Sequence, residues 1–179
     1  TVMFADLVNF TQLTESLPPE QMVSLLNQIF SGFDELSEKY GIEKIKTIGD
    51  AYMVVGGLNR EKADYTRDIA DMALEMREFV VSQPGLVKYN LSIHTGIATG
   101  PVVAGVIGTK RFIYDLWGDT VNIASRLTDE AQPGVIQVDK MTYSRIREHY
   151  AFEPPASIHV KGKGEMVMYR LVSPLGDVL

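Results

Sequence analysis

The amino-acid sequence predicts an α+β fold: a ferredoxin-like split βαβ core, an antiparallel sheet with helices on one face, followed by a C-terminal β-rich extension. Three observations predict it. Two stretches of helical apolar periodicity alternate with short apolar segments suited to strands. A two-residue Gly-Asp break joins two of those strands directly. Beyond the helical pattern that ends near Glu130, the remainder is rich in short strand-like runs.

Residues 1 to 6 read as a short buried strand ending at Asp6, and NFTQLTESL as a polar turn with a short helix. Pro18 and Pro19 open the next element. From Glu20 to Tyr40 the residues Met22, Leu25, Leu26, Ile29, Phe33 and Leu36 recur every three or four positions, the stripe of an amphipathic helix, which Gly41 closes. Ile42 to Ile48 and Ala51 to Val55 are apolar segments on either side of Gly49-Asp50, a hairpin whose turn reverses the commonest Asp-Gly order. A second amphipathic helix runs from about Asp64 to Val81 through Ile69, Met72, Ala73, Met76 and Phe79, and Gln83-Pro84-Gly85 ends it. Residues 89 to 98 form another strand, completing the order strand, helix, strand, strand, helix, strand. GPVVAGVIGTKRFIYDLWG follows, glycine-punctuated and strand-like, and then a helix from Asp119 to about Glu130. In the remainder, Val135 to Val138 and Val167 to Val172 read as strands and Lys140 to Glu148 as a helix. Val160 to Gly164 reads as a turn carrying two lysines.

The 179 residues, 45% hydrophobic and 22% charged, suit one globular domain spanning 1–179, with no internal repeat and no low-complexity linker. No run of 18 apolar residues and no basic, apolar leader is present, so nothing in this sequence is expected to span a membrane or direct secretion. The opening TVMFAD begins inside a strand pattern, which suggests a domain taken from a longer protein. The absence of cysteine excludes a disulfide scaffold, a thiolate zinc site and a cysteine nucleophile, and suits a reducing cytoplasmic setting. A net charge of −6 disfavours nucleic-acid binding; a polyanionic ligand needs a local group of Lys and Arg, or metal ions.

Asp6 ends the first strand and Asp50 occupies the turn between the second and third, so a split βαβ sheet brings them to one edge. Two aspartates suffice for hard cations such as Mg²⁺, which take oxygen ligands and complete their shells with water and phosphate. A helix cap and a plain turn residue are the commoner roles for isolated aspartates, and pattern alone leaves both readings open. Asn122 and Arg126 lie four apart on one helix face, an amide and a guanidinium suited to a ribose and a phosphate; a surface ion pair is the commoner explanation. Lys161 and Lys163, flanked by glycines, could reach a triphosphate or belong to a solvated turn. GVIGTKR lacks the spacing and ending of a phosphate-binding Walker loop. His94, His149 and His159 show no metal or nucleophile spacing, and Trp117 reads as core; none receives a catalytic role.

FADLVNFT around Asp6, EKIKTIGDAYM around Asp50, YDLWGDTVNIASR from Tyr114 to Arg126 and VKGKG at 160–164 together resemble the class III nucleotidyl cyclase catalytic domain. The likeness runs nearly end to end and is strongest to bacterial, membrane-linked adenylyl cyclases that work as homodimers. The resemblance implies that Asp6 and Asp50 hold two Mg²⁺ or Mn²⁺ ions, with the Leu7 carbonyl as a further ligand. It implies that Lys46 and Asp115 read adenine, where guanylyl cyclases usually carry Glu and Cys or another small polar residue. Asn122 then positions the ribose, Arg126 stabilises the α-phosphate, and Lys161 binds the terminal phosphates, with Lys110 and Arg111 as further candidates. ATP is the expected substrate and 3′,5′-cyclic AMP the product, formed at two sites shared between the chains of a homodimer. A cytoplasmic domain, tethered to the membrane or to a regulatory region ahead of Thr1, is the implied setting. The alternatives are a guanylate cyclase and a non-catalytic pseudocyclase that serves dimerisation; a diguanylate cyclase or polymerase palm fits the core but lacks a GGDEF-like turn.

Overall fold

In the computed structural model, which describes residues 1–59 and 63–176, the first strand is sheathed on both sides. β1 (Val2–Val8) buries Val2, Met3, Phe4 and Ala5 in succession, the pattern of a strand covered on two faces. A short helix, α1 (Phe10–Ser16), follows, and then α2 (Pro19–Tyr40), with proline in its first turn and Gly41 closing it at a φ of 64°. The hairpin β2 (Glu43–Ile48) and β3 (Ala51–Val55), helix α3 (Tyr65–Ser82), a 3₁₀ turn at Val87–Tyr89 and β4 (Ser92–Ala98) complete the core. β5 (Val103–Ile107) and β6 (Ile113–Trp117) form a separate two-stranded hairpin, followed by α4 (Asp119–Asp129). β7 (Ile136–Asp139), α5 (Lys140–Ile146), β8 (Tyr150–Phe152), β9 (Ala156–Val160) and β10 (Gly164–Pro174) form the extension.

The strand order is β2-β3-β1-β4-β7-β10-β8, with β9 also paired to β10. The split core is antiparallel, as its order predicts, but β4 pairs with β7 in parallel, which makes the whole sheet mixed. On one face α2 and α3 bury Leu25, Ile29, Phe33, Ile69, Met72 and Met76 against Met3, Leu7 and Ile93, each such side chain contributing about 1.5–3 kcal/mol. These two core helices share a face, as expected. The later helix α4 adds cover to the opposite face, where Ala124 and Leu127 meet Val2, Phe4, Met53 and Val55.

Gly96 permits that second layer, because a Cβ there would stand 2.3 Å from the Ala124 carbonyl oxygen. Thr128 then donates its hydroxyl to Ala124 O at 2.9 Å and to Phe4 O at 3.4 Å, stitching helix to sheet. On the other face the Tyr52 hydroxyl donates to Asp34 at 2.5 Å, tying β3 to α2; burial and that carboxylate both push its pKa up. The predicted helices stand within a residue or two of their expected ends. β4 begins at Ser92 rather than residue 89, β10 outruns Val167–Val172 at both ends, and β8 and β9 are unanticipated. No helix among the described residues is long and apolar enough to cross a membrane.

Candidate active site

The turn between β2 and β3 decides where Asp50 sits. Ile48 pairs with Ala51, leaving Gly49 and Asp50 as the loop; Gly49 has a φ of 59°, which explains why glycine comes first. Ala51 also pairs with Asp6, so the loop closes beside β1, and Leu7 N–H donates to the Asp50 carbonyl at 3.3 Å. The Leu7 side chain is buried in the core, so this residue meets the site through its backbone.

Asp6 and Asp50 meet at this sheet end. Burial first, and then the negative charge of the adjacent Asp6, push the Asp50 carboxyl above the usual carboxylate range. Asp6 Oδ1 is buried with no hydrogen-bond partner among the described residues, while Oδ2 faces His94 Nε2 at 3.4 Å. A hard divalent cation relieves such an arrangement, because it supplies opposite charge and takes oxygen ligands. Among the described residues no three or more His, Cys, Asp or Glu gather in a metal-binding group. Two carboxylates and backbone oxygen are thus the protein's offer, which suits an ion that completes its shell with water and phosphate.

Strand register gives His94 a place that spacing in sequence does not reveal. It lies directly opposite Asp6 across β1 and β4, and its Nδ1 meets the Ala131 carbonyl at 2.9 Å. A carbonyl oxygen only accepts, so Nδ1 donates there, and the carboxylate beside Nε2 favours a proton on that nitrogen as well. The hydrogen bond to Asp6 accordingly raises its pKa, against the effect of burial. His149 and His159 are exposed, as expected; His159 faces Glu165 at 3.3 Å, and neither joins the site.

Lys46 owes its direction to a β-bulge. Lys44 pairs with Val54 and Lys46 with Met53, so Ile45 is an extra residue and the two lysines face opposite sides of the sheet. Lys44 turns to α2, where it pairs with Asp34 at 2.8 Å. Lys46 turns to the α4 side, where its Nζ reaches Asp115 Oδ2 of β6 at 2.5 Å. Asp115 Oδ1 accepts from Leu116 N–H at 2.8 Å. Burial pushes the Asp115 carboxyl up, but the Lys46 and Leu116 hydrogen bonds outweigh it and hold the carboxyl below its usual range.

Asn122, Arg126 and Lys161 come together in one cleft of about 490 Å³ between α4 and the β9–β10 turn, with Asp119, Ser125, Asp129 and Lys163 also on its walls. Lys163 pairs with Asp119 across it, and Arg126 is loosely paired with Asp129 at 3.7 Å. Asp6, Asp50, Lys46 and Asp115 do not line this cleft. Lys110 and Arg111 stand exposed in the β5–β6 loop, also away from it.

That hairpin exposes much apolar surface: Phe112 is 78% exposed, Val103 67% and Ile107 60%. Trp117, expected in the core, is 38% exposed on β6, because β5 and β6 form their own two-stranded sheet with one face uncovered.

The chain thus offers paired carboxylates at one end of a mixed sheet, a lysine–aspartate ion pair between β2 and β6, and a charged cleft along α4. The family model for the adenylate and guanylate cyclase catalytic domain matches residues 1–173, and the chain belongs to that family. An adenylate cyclase of Mycobacterium tuberculosis is 42% identical over 172 residues, covering 96% of this chain and 39% of that protein. A membrane guanylyl cyclase of Dictyostelium discoideum is 39% identical over 172 residues, covering 96% of this chain and 11% of that protein. The guanylate cyclase domain of RhGC from Catenaria anguillulae, solved in complex with GTP, superposes with a TM-score of 0.91 at 32% identity, covering 97% of this chain and 95% of that one. The chain therefore spans about two fifths of the mycobacterial relative's length.

Proposed function

We propose that this domain is an adenylate cyclase, converting ATP to 3′,5′-cyclic AMP and pyrophosphate at sites shared between two copies of the chain. The observation that carries the choice of purine is the Lys46–Asp115 pair, a donor and an acceptor 2.5 Å apart with the carboxyl held charged. Adenine presents the acceptor N1 beside its donor 6-amino group, and guanine presents the reverse, so this pair matches the first and clashes with the second. The identity to a mycobacterial adenylate cyclase supports the same reading.

In this reading Lys46 donates to N1 and Asp115 accepts from the 6-amino group. Asn122 orients the ribose, Arg126 stabilises charge growing on the α-phosphate, and Lys161 holds the terminal phosphates. Asp6, Asp50 and the Leu7 carbonyl would hold two divalent ions, Mg²⁺ or Mn²⁺, which when bound would acidify the ribose 3′-hydroxyl and neutralise the triphosphate. The 3′-hydroxyl gives up its proton to solvent as its oxygen attacks the α-phosphorus in line, the bond from that phosphorus to the oxygen bridging to the β-phosphate breaks, and pyrophosphate leaves.

Two features support sharing between copies. The carboxylate pair and the cationic cleft are lined by different residues, and the apolar hairpin beside them is uncovered in one chain. Asp6 and Asp50 of one copy would then complete a site with Lys46, Asp115, Asn122, Arg126 and Lys161 of the other.

The test is turnover of ATP and GTP with Mn²⁺ or Mg²⁺ across protein concentrations. Cyclic AMP formation that rises per chain with concentration is expected. Preference for GTP would replace this reading with a guanylate cyclase, and turnover of neither at any concentration would replace it with a non-catalytic dimerisation module.

A further inference from the structure

We propose that His94 is a positioning residue that fixes Asp6 in the orientation needed to ligate a divalent cation, an inference that rests on the metal role given to Asp6 above. The two residues are register partners on β1 and β4, so the backbone ladder sets their distance. The far nitrogen of the ring is held by the Ala131 carbonyl at 2.9 Å, a main-chain group, which fixes the ring plane without depending on a mobile side chain. The near nitrogen meets Asp6 Oδ2 at 3.4 Å, and Asp6 Oδ1 is left buried without a partner. One carboxylate oxygen is thus held by the ring and the other is left buried and unsatisfied, a state that a cation would relieve, and holding the ligand's second oxygen is what outer partners of metal ligands commonly do.

The histidine acts through Asp6 and touches neither nucleotide nor cation in this arrangement. Ala131 lies just past Glu130, the residue that caps α4, so the same ring also ties Asp6 to the end of the helix that carries Asn122 and Arg126. Sequence spacing hides all of this, because His94 and Asp6 are neighbours across strands.

The experiment measures Mn²⁺ binding to the whole domain without nucleotide, by electron paramagnetic resonance of free Mn²⁺, alongside steady-state kinetics. His94→Ala should weaken Mn²⁺ binding ~10-fold and raise the Mn²⁺ requirement for turnover equally. At saturating Mn²⁺ its KM for ATP should stay within about twofold of wild type. His94→Gln, whose amide N–H can still donate to Asp6, should recover most of the Mn²⁺ affinity. Unchanged Mn²⁺ binding in His94→Ala would overturn the proposal. So would a raised KM for ATP with Mn²⁺ binding intact, since the ring would then be meeting the nucleotide. Asp6→Asn serves as the control: if it binds Mn²⁺ like wild type, the metal reading itself has failed. Should His94→Ala not fold, His94→Leu, closer in volume and unable to donate, gives the same decision.

Discussion

Replacing Gly96 by alanine adds one methyl group where helix α4 lies closest to the sheet, and its effect can be worked from the contacts. The new Cβ would stand 2.3 Å from Ala124 O, 2.4 Å from Thr128 N and 2.5 Å from Thr128 Oγ1. Ordinary contact at such a position begins near 3.4 Å, and two of the three atoms are backbone, so the helix must retreat by roughly 1 Å. Gly96 is not among the positive-φ residues, so the effect is one of space rather than backbone strain. Overpacking of this kind costs about 1–3 kcal/mol, which lowers Tm by ~2–12 °C for a domain of this size. The retreating helix carries Asn122 and Arg126, and a shift near 1 Å in positioning groups costs on the order of 100-fold in rate. The assay is thermal unfolding by circular dichroism together with kcat for ATP, measured well below the variant's Tm. A variant that melts like wild type would show that the contact is not as tight as drawn. One that melts early but keeps kcat would show that the sheet, and not α4, absorbs the methyl group, and the placement of Asn122 and Arg126 in the site would fall with it.

Three other outcomes follow from the shared site. Asp50→Ala and Arg126→Ala chains, each inactive alone, should regain about a quarter of wild-type activity when mixed at equal amounts, since half the dimers are mixed and each has one intact site; a mixture that stays inactive contradicts sharing. Lys46→Glu combined with Asp115→Cys should lower kcat/KM for ATP by ~10–100-fold and admit GTP, and an unchanged preference in competition assays would refute the purine assignment. Removing divalent ions with EDTA should weaken binding of a non-hydrolysable ATP analogue by at least ~10-fold in calorimetry; equal affinity with and without EDTA would remove the carboxylates from nucleotide binding.

The core was legible because its signals are local. The stripe from Met22 to Leu36 and that from Ile69 to Phe79 each describe one helix face, and Gly49-Asp50 marks a turn whatever surrounds it. What sequence could not supply depends on register and on contacts between distant elements. The parallel pairing of β4 with β7 needs a crossover through α4, and the placement of α4 on the second face hangs on the missing Cβ of Gly96. β8 and β9 flank Pro154 and Pro155, residues that read as punctuation rather than strand. The extra residue at Ile45 reverses the facing of Lys46 relative to Lys44, which strict alternation would have placed on one side. In the site, Asn122, Arg126 and Lys161 could be named from their motifs and share one cleft, whereas His94 becomes visible only once β1 and β4 are in register.

Charge explains why these groups would work together and not singly. The cleft between α4 and the β9–β10 turn carries the cations Arg126, Lys161 and Lys163 and the acids Asp119 and Asp129, a net charge near +1. With His94 left aside, adding Asp6 and Asp50 of a second copy to these cleft side chains brings the sum to near −1, which would repel a triphosphate of about −4. Lys46 and Asp115 cancel each other and leave that balance unchanged. Two divalent ions turn −1 into about +3, enough to offset most of the nucleotide's charge. The raised Asp50 pKa fits this picture: without a cation, burial and then the Asp6 charge beside it penalise the ionised form of Asp50. The cost of holding them together falls on the free domain, and it is returned when cations and nucleotide arrive together. On this reading the carboxylate pair, unfavourable by itself, makes nucleotide binding conditional on metal, in a chain whose overall charge of −6 would otherwise turn ATP away.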